Sequence, residues 1–236
     1  MRLPGAARHV ARFVWTHRGR FLLLFLGVLL PLLALGELAE HVVKREAFYF
    51  DEPLLRAAHR LASQHRDTFM LLVTKVGYAY GVIPLAIVLP VLFALRQRMR
   101  DALFVALTMG GTSLLNIGAK AFFGRERPKL WVSLAPERTF SFPSGHAMGS
   151  MALATALVVL AWHTRWRWPA VLLGTVFVLL VGASRVYLGV HYPSDIAAGW
   201  AAALAWVVGL SVLLYRRRTK VAVKPLPGQR AATDSG

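Results

Sequence analysis

Residues 140–195 read FSFPSGHAMGSMALATALVVLAWHTRWRWPAVLLGTVFVLLVGASRVYLGVHYPSD, and this stretch decides the fold. It holds two apolar runs, 147–162 and 169–183, joined by a short basic loop with Arg165 and Arg167. Runs of this length and composition read as membrane-crossing helices. Two such helices joined by a short loop lie antiparallel. The start of the first and the end of the second then come to the same side of a bilayer. His146 stands at that start, and Ser184, Arg185, His191 and Asp195 stand at or just past that end.

The rest of the chain follows the same pattern. Of its 236 residues 56% are hydrophobic and 17% charged, a balance more apolar than soluble domains carry. The net charge of +17 does not point to nucleic acid, because the arginines cluster at the ends of apolar runs, where positive charge fixes membrane orientation. There is no cysteine, which excludes disulfides and thiolate metal sites. The fold expected is all-α: a polytopic membrane protein with six transmembrane helices in a bundle and a short amphipathic outer segment. The spans are read at 21–36, 69–95, 102–119, 147–162, 169–183 and 196–215. The first run resembles a signal peptide only loosely, and its length favours an uncleaved span. Residues 51–66 place Leu54, Leu55, Ala58 and Leu61 at helical spacing, which predicts the amphipathic helix. Three regions result: a basic cytoplasmic N-terminal segment over 1–20, the six-span domain over 21–218, and a disordered cytoplasmic tail over 219–236.

Charge counting orients this arrangement. With the N-terminus inside, segments 1–20, 96–100, 163–168 and 216–236 hold sixteen Lys or Arg residues and one acid, Asp234. The outer segment 37–67 is nearly balanced, with five basic and six acidic residues. The other outer loop, 124–139, departs from the rule because it carries Arg125, Arg127, Lys129 and Arg138. Charges that break the orientation rule have another task.

Six spans gather Lys120, Arg125, Arg127, His146, Arg185, His191 and Asp195 on the outer face. Singly, each has a plain reading as an interface anchor, a loop histidine, or an Arg185–Asp195 ion pair between spans. Together, four cations, two histidines and one carboxylate suit an anion, and phosphate fits because guanidinium forks match its oxygens. Ser144-Gly145-His146 falls where a helix begins, so free backbone N–H groups add to the attraction. One histidine can attack phosphorus while the other handles the leaving-group proton. Asp195, four residues after His191, can bond one ring nitrogen and leave the other free. No His, Asp or Glu cluster has metal-ligand spacing, so neither metal nor cofactor is expected.

At these residues the sequence resembles the type 2 phosphatidic acid phosphatases, whose site is shared with soluble acid phosphatases and vanadium haloperoxidases. Lys120, Arg127 and Pro128 match the first block, Lys-x6-Arg-Pro; residues 143–146 match the second, Pro-Ser-Gly-His; Ser184, Arg185, His191 and Asp195 match the third, Ser-Arg-x5-His-x3-Asp. The resemblance implies His191 as nucleophile, Asp195 as its orienting partner and His146 as general acid. It implies Lys120, Arg127, Ser144, Gly145 and Arg185 as phosphate ligands, with Arg125 secondary. It implies a metal-independent phosphatase acting on a membrane lipid at the outer leaflet of a bacterial-type inner membrane. Candidate substrates are undecaprenyl diphosphate, phosphatidic acid, phosphatidylglycerol phosphate and lipid A phosphate. A lipid phosphotransferase with the same site, or a non-catalytic lipid-binding or transport protein, is the alternative. The partners expected are the lipid substrate and the bilayer, and not nucleic acid.

Overall fold

A computed structural model describes residues 18–19 and 21–215, and within them the chain is helical with no strand. Apart from Arg18 and Gly19, the expected N-terminal segment and tail lie outside these residues. The helices are α1 (Phe21–Val43), α2 (Asp51–Arg60), α3 (Gln64–Leu95), α4 (Met99–Phe123), α5 (Gly145–Ala161), α6 (Arg167–Tyr187) and α7 (Pro193–Leu214). Five of them, α1, α3, α4, α6 and α7, are long and apolar enough to cross a membrane. The fourth expected span, α5, is apolar but has 17 residues.

Helix α5 packs against α4, α6 and α7 and is the centre of the bundle. Its buried face is mostly small: Ala147, Gly149, Ser150, Ala152 and Ala156. Small side chains let helices approach closely where no water drives them together. The core they form with Val82, Phe104, Val105, Ala203 and Val207 is apolar. The outward faces are apolar too, with Leu22, Phe25, Leu33, Ile87, Leu114 and Leu172 all exposed. Contiguous exposed apolar surface on this scale requires a partner, and lipid suits helices of this length.

The helices extend past the apolar runs. Helix α3 starts at Gln64, not 69, and the predicted helix over 51–66 is divided at 61–63. Leu61 is therefore a helix terminus, and Lys75 stands a few turns inside α3. Within this long helix lies a π-helical stretch, Lys75–Val82, followed by Pro84 and Pro90. This widened turn carries Tyr78 to the site.

Four helix ends meet at one end of the bundle: the last turn of α4, the first of α5, the last of α6 and the first of α7. The α4–α5 loop covers them. Trp131 in that loop stacks on His59 of α2, ring centroids 4.1 Å apart. Ser133 donates to the Leu188 carbonyl at 2.6 Å. Gly189 turns the chain between α6 and His191 at φ 68°, a left-handed conformation that side chains disfavour.

Candidate active site

Each end supplies one kind of group. Helix α7 opens with Pro193 in its first turn, and the Asp195 carboxylate accepts from the Tyr192 N–H at 2.8 Å, capping the helix. That cap fixes Asp195 beside His191, and both are fully buried. Nδ1 of His191 lies 3.4 Å from Asp195 Oδ2. Nε2 faces the other way and receives Arg127 Nη1 at 3.0 Å. This geometry suits the tautomer with its proton on Nδ1 and a lone pair on Nε2. Burial pushes the imidazole down to about 4; the hydrogen bond and charge of Asp195 act in the opposite sense but do not outweigh it.

Helix α5 begins at Gly145, with Ser144 as its cap, Oγ accepting from the Ala147 N–H at 3.5 Å. A Cβ on Gly145 would come 3.0 Å from Asn116 Oδ1, so a residue with a side chain would crowd α4. Asn116 in turn donates to the Pro143 carbonyl at 3.0 Å, which ties the helix start to α4. His146 follows and is stacked by Tyr78 with centroids 4.3 Å apart.

The cations arrive from two directions. Lys120, in the last turn of α4, donates to Thr139 Oγ1 at 2.9 Å, and Arg127 Nη2 reaches the same oxygen at 3.1 Å. Arg185, buried in the last turn of α6, donates to Thr74 Oγ1 at 2.6 Å and pairs with Glu137. Among the described residues its Nε is buried with no hydrogen-bond partner, and a buried open donor suits an anion's oxygen. Arg125 turns away: it bonds Asp195 Oδ1 at 2.5 Å and Asp51 Oδ2 at 2.9 Å, with Tyr192 stacked 4.2 Å from its guanidinium. Lys120, Arg127, His146, Arg185 and His191 thus surround one space, with the α5 N-terminus at its edge. Arg125 backs Asp195 from behind. An Arg185–Asp195 ion pair does not form; Arg185 takes Glu137 and Asp195 takes Arg125.

Below this space, between α3 and α4, lies a cavity of about 550 Å³. Its lining is mainly apolar, including Val82, Ile87, Ala106, Met109 and Ile117, and it reaches Gly145 at the α5 start. Among the described residues no group of three or more His, Asp or Glu could hold a metal ion.

The PAP2 superfamily sequence profile matches residues 101–219, a span that contains every block residue. The chain belongs to the PAP2 superfamily. Phosphatases of this family hydrolyse phosphate esters. This PAP2 chain is 29% identical over 159 residues to phosphatidylglycerophosphatase B of Bacillus subtilis, covering 65% of this chain and 78% of that protein. It is 32% identical over 148 residues to an undecaprenyl-diphosphatase of Sulfolobus acidocaldarius, covering 61% and 68%. Its fold matches the crystal structure of the transmembrane PAP2-type phosphatidylglycerolphosphate phosphatase from Bacillus subtilis with a TM-score of 0.71 at 26% identity, covering 81% of this chain and 98% of that one.

Three site residues of this PAP2 chain have no sequence signal that singles them out. Asp51 begins α2, outside the matched span, and accepts from the Ser194 N–H at 2.9 Å and the Ser194 hydroxyl at 2.5 Å. Ser141 is buried, bonds Asp195 Oδ2 and lies 3.5 Å from His191 Nδ1. Glu137, in the α4–α5 loop, lies among the cations themselves.

Proposed function

We propose that this protein is an integral membrane lipid phosphatase that removes phosphate from a lipid phosphomonoester or diphosphate through a phosphohistidine. The observation that carries the reading is His191: Asp195 lies on its Nδ1 side, and its Nε2 points into the space ringed by Lys120, Arg127 and Arg185. In the first step Nε2 attacks the terminal phosphorus, and its bond to the ester oxygen of a monoester, or to the bridging oxygen of a diphosphate, breaks with the electron pair on that oxygen. His146 gives the leaving oxygen its proton. In the second step His146 takes a proton from water, whose oxygen attacks phosphorus and releases orthophosphate and free His191. Three cationic side chains and the α5 N-terminus stabilise charge on the equatorial oxygens, a role that does not call for a metal ion. Asp195 holds the imidazole and balances its positive charge in the intermediate.

The apolar cavity that runs from Gly145 between α3 and α4 supports a lipid over a soluble ester, since it offers an acyl or prenyl chain a place beside the phosphate site. Phosphatidylglycerol phosphate, undecaprenyl diphosphate, phosphatidic acid and lipid A phosphate are the substrates in view. The site faces the outer leaflet of a bacterial-type inner membrane, with both termini cytoplasmic.

The test is phosphate release by purified protein across those four lipids. At least one is hydrolysed, His191→Ala lowers the rate by about a thousandfold or more, and His146→Ala lets a phosphorylated protein accumulate. Vanadate inhibits and a chelator does not. Release that survives His191→Ala, or that requires added Mg²⁺, would falsify the mechanism.

A further inference from the structure

Glu137 stands where the phosphate is expected. Its Oε2 receives Arg127 Nη2 at 2.5 Å and lies 3.9 Å from His191 Nε2. Its Oε1 pairs with Arg185 Nη2 and lies 3.8 Å from His146 Nδ1. One carboxylate therefore touches or faces both proposed catalytic histidines and two of the three phosphate cations. Arg127 gives its remaining donors to the carbonyls of Val190, Thr139 and Phe140, the Thr139 hydroxyl and His191 Nε2, and of the Arg185 donors Nη1 is taken by Thr74 while Nε is open. A phosphate that bridges Nη2 of Arg127 and Nη2 of Arg185 must take the places of Oε2 and Oε1.

The carboxylate is held but not locked. It projects from a loop, with Pro136 and Arg138 on either side exposed, and its own side chain is 26% exposed. Among the described residues its carboxylate has no hydrogen bond except to the two arginines. Removing it from the site requires a side-chain rotation and not a rearrangement of the bundle. Burial favours its neutral form, but Arg185, His191 and Arg127 outweigh that and hold it below the ordinary carboxylate range, so it is anionic at neutral pH.

We propose that Glu137 is a resident substitute for phosphate that a substrate must displace, and that this competition selects by charge. The proposal rests on the reading of this site as a lipid phosphatase. Two charges at a given distance attract a cation twice as strongly as one. A monoester dianion or a diphosphate outbids a single carboxylate at Arg127 and Arg185. A phosphodiester, with one negative charge, has no such advantage. Phosphodiester headgroups are the bulk of most bilayers, so a site open to the membrane would otherwise be crowded by anions it cannot turn over. Glu137 also keeps Arg185 and Arg127 paired between turnovers, when an uncompensated buried charge would be costly.

The experiment compares wild type, Glu137→Gln and Glu137→Asp, with Glu126→Gln as control. Glu126 pairs with Lys129 on the exposed side of the same loop, away from the site. Orthophosphate and orthovanadate binding to purified protein in detergent is measured by calorimetry, which needs no turnover. The expected result is binding at least about tenfold tighter in Glu137→Gln, an intermediate gain in Glu137→Asp, and wild-type affinity in Glu126→Gln. Glu137→Gln melts at a lower temperature than wild type, and orthophosphate restores it, because an added dianion replaces the missing carboxylate. In lipid phosphate hydrolysis, KM falls with the same variant. Phosphatidylglycerol, a phosphodiester, becomes a competitive inhibitor of Glu137→Gln while leaving wild type unaffected. Unchanged orthophosphate and vanadate affinity in Glu137→Gln would overturn the proposal, as would a lower kcat with no change in those affinities, which would make Glu137 a partner of His146. Tighter orthophosphate without inhibition by phosphatidylglycerol would overturn the selection by charge. A wild type that hydrolyses none of the four lipids would sink the phosphatase reading, an outcome separate from the calorimetry.

Discussion

His191 owes its proposed reactivity to being buried and oriented at once. Burial keeps it neutral, Asp195 takes the Nδ1 side, and Nε2 is left with its lone pair. Its value in the fold, about 4, lies below the ordinary 6.5. The unfolded chain therefore binds this proton more readily than the folded one. The linked stability is complete above the ordinary value and is lost as pH falls towards 4. NMR titration of ring-labelled histidines, assigned by comparison with His191→Gln, gives a midpoint near 4 for this residue; a midpoint at the ordinary value would contradict the burial argument. Asp51 acts at one remove: it holds Ser194 and Arg125, and Arg125 holds Asp195. Asp51→Asn and Arg125→Met each lower kcat by about tenfold with KM little changed, and the double variant is no slower than the worse single, because both act through one chain of contacts. Additive losses would show that the two act separately. The block residues are legible in sequence because their fixed spacings mark helix ends. Asp51 is not: an acid in the first turn of an amphipathic helix is what the helix dipole favours anyway. Ser141 and Glu137 gain their places from the path of a loop, which no periodicity encodes.

At the scale of the element, the apolar runs locate the helices but not their ends. Lys120, His146, Arg185 and Asp195 all lie inside helices, in terminal turns that the runs exclude. Hydropathy stops at the first polar residue, whereas the backbone hydrogen-bond ladder continues until a cap or a turn ends it. The terminal turns carry the chemistry because they are polar and yet rigid. The same reasoning explains α3, whose polar first turn joins it directly to the surface segment. The cavity between α3 and α4 gives this scale its test. A Cβ on Gly110 would meet no atom within 4 Å, and the residue lines the cavity. A phenylalanine there enters the space proposed for the lipid chain without crowding the core. Gly110→Phe lowers the ratio of kcat/KM on a long-chain lipid phosphate to kcat/KM on a short soluble phosphate ester by about tenfold, the order expected when several apolar contacts are blocked. Equal effects on the two substrates would place the chain elsewhere.

Over the whole molecule the decisive asymmetry is how charge is compensated at the two ends of the bundle. Around the site, Arg125 pairs with Asp51 and Asp195, Arg127 and Arg185 with Glu137, Lys129 with Glu126, Arg56 with Glu52 and Lys44 with Glu40. The basic α4–α5 loop therefore departs from the orientation rule in composition more than in effect, since three of its four cations are neutralised by the protein. At the opposite end Arg96, Arg100, Arg165 and Arg167 are exposed, and the tryptophans Trp162, Trp166 and Trp168 stand beside them as an interfacial belt would. Arg98 there pairs with Asp101, but the balance stays positive. Uncompensated positive charge is what the cytoplasmic side retains, which supports the proposal that the site end faces outward. Val132, at the tip of the α4–α5 loop, is 95% exposed, and the chain contains no cysteine to confuse a label. In intact cells Val132→Cys reacts with an impermeant thiol reagent, while a cysteine in place of Thr164, in the α5–α6 turn at the other end, reacts only after lysis. The reverse pattern would turn the molecule over and put phosphate release on the cytoplasmic face.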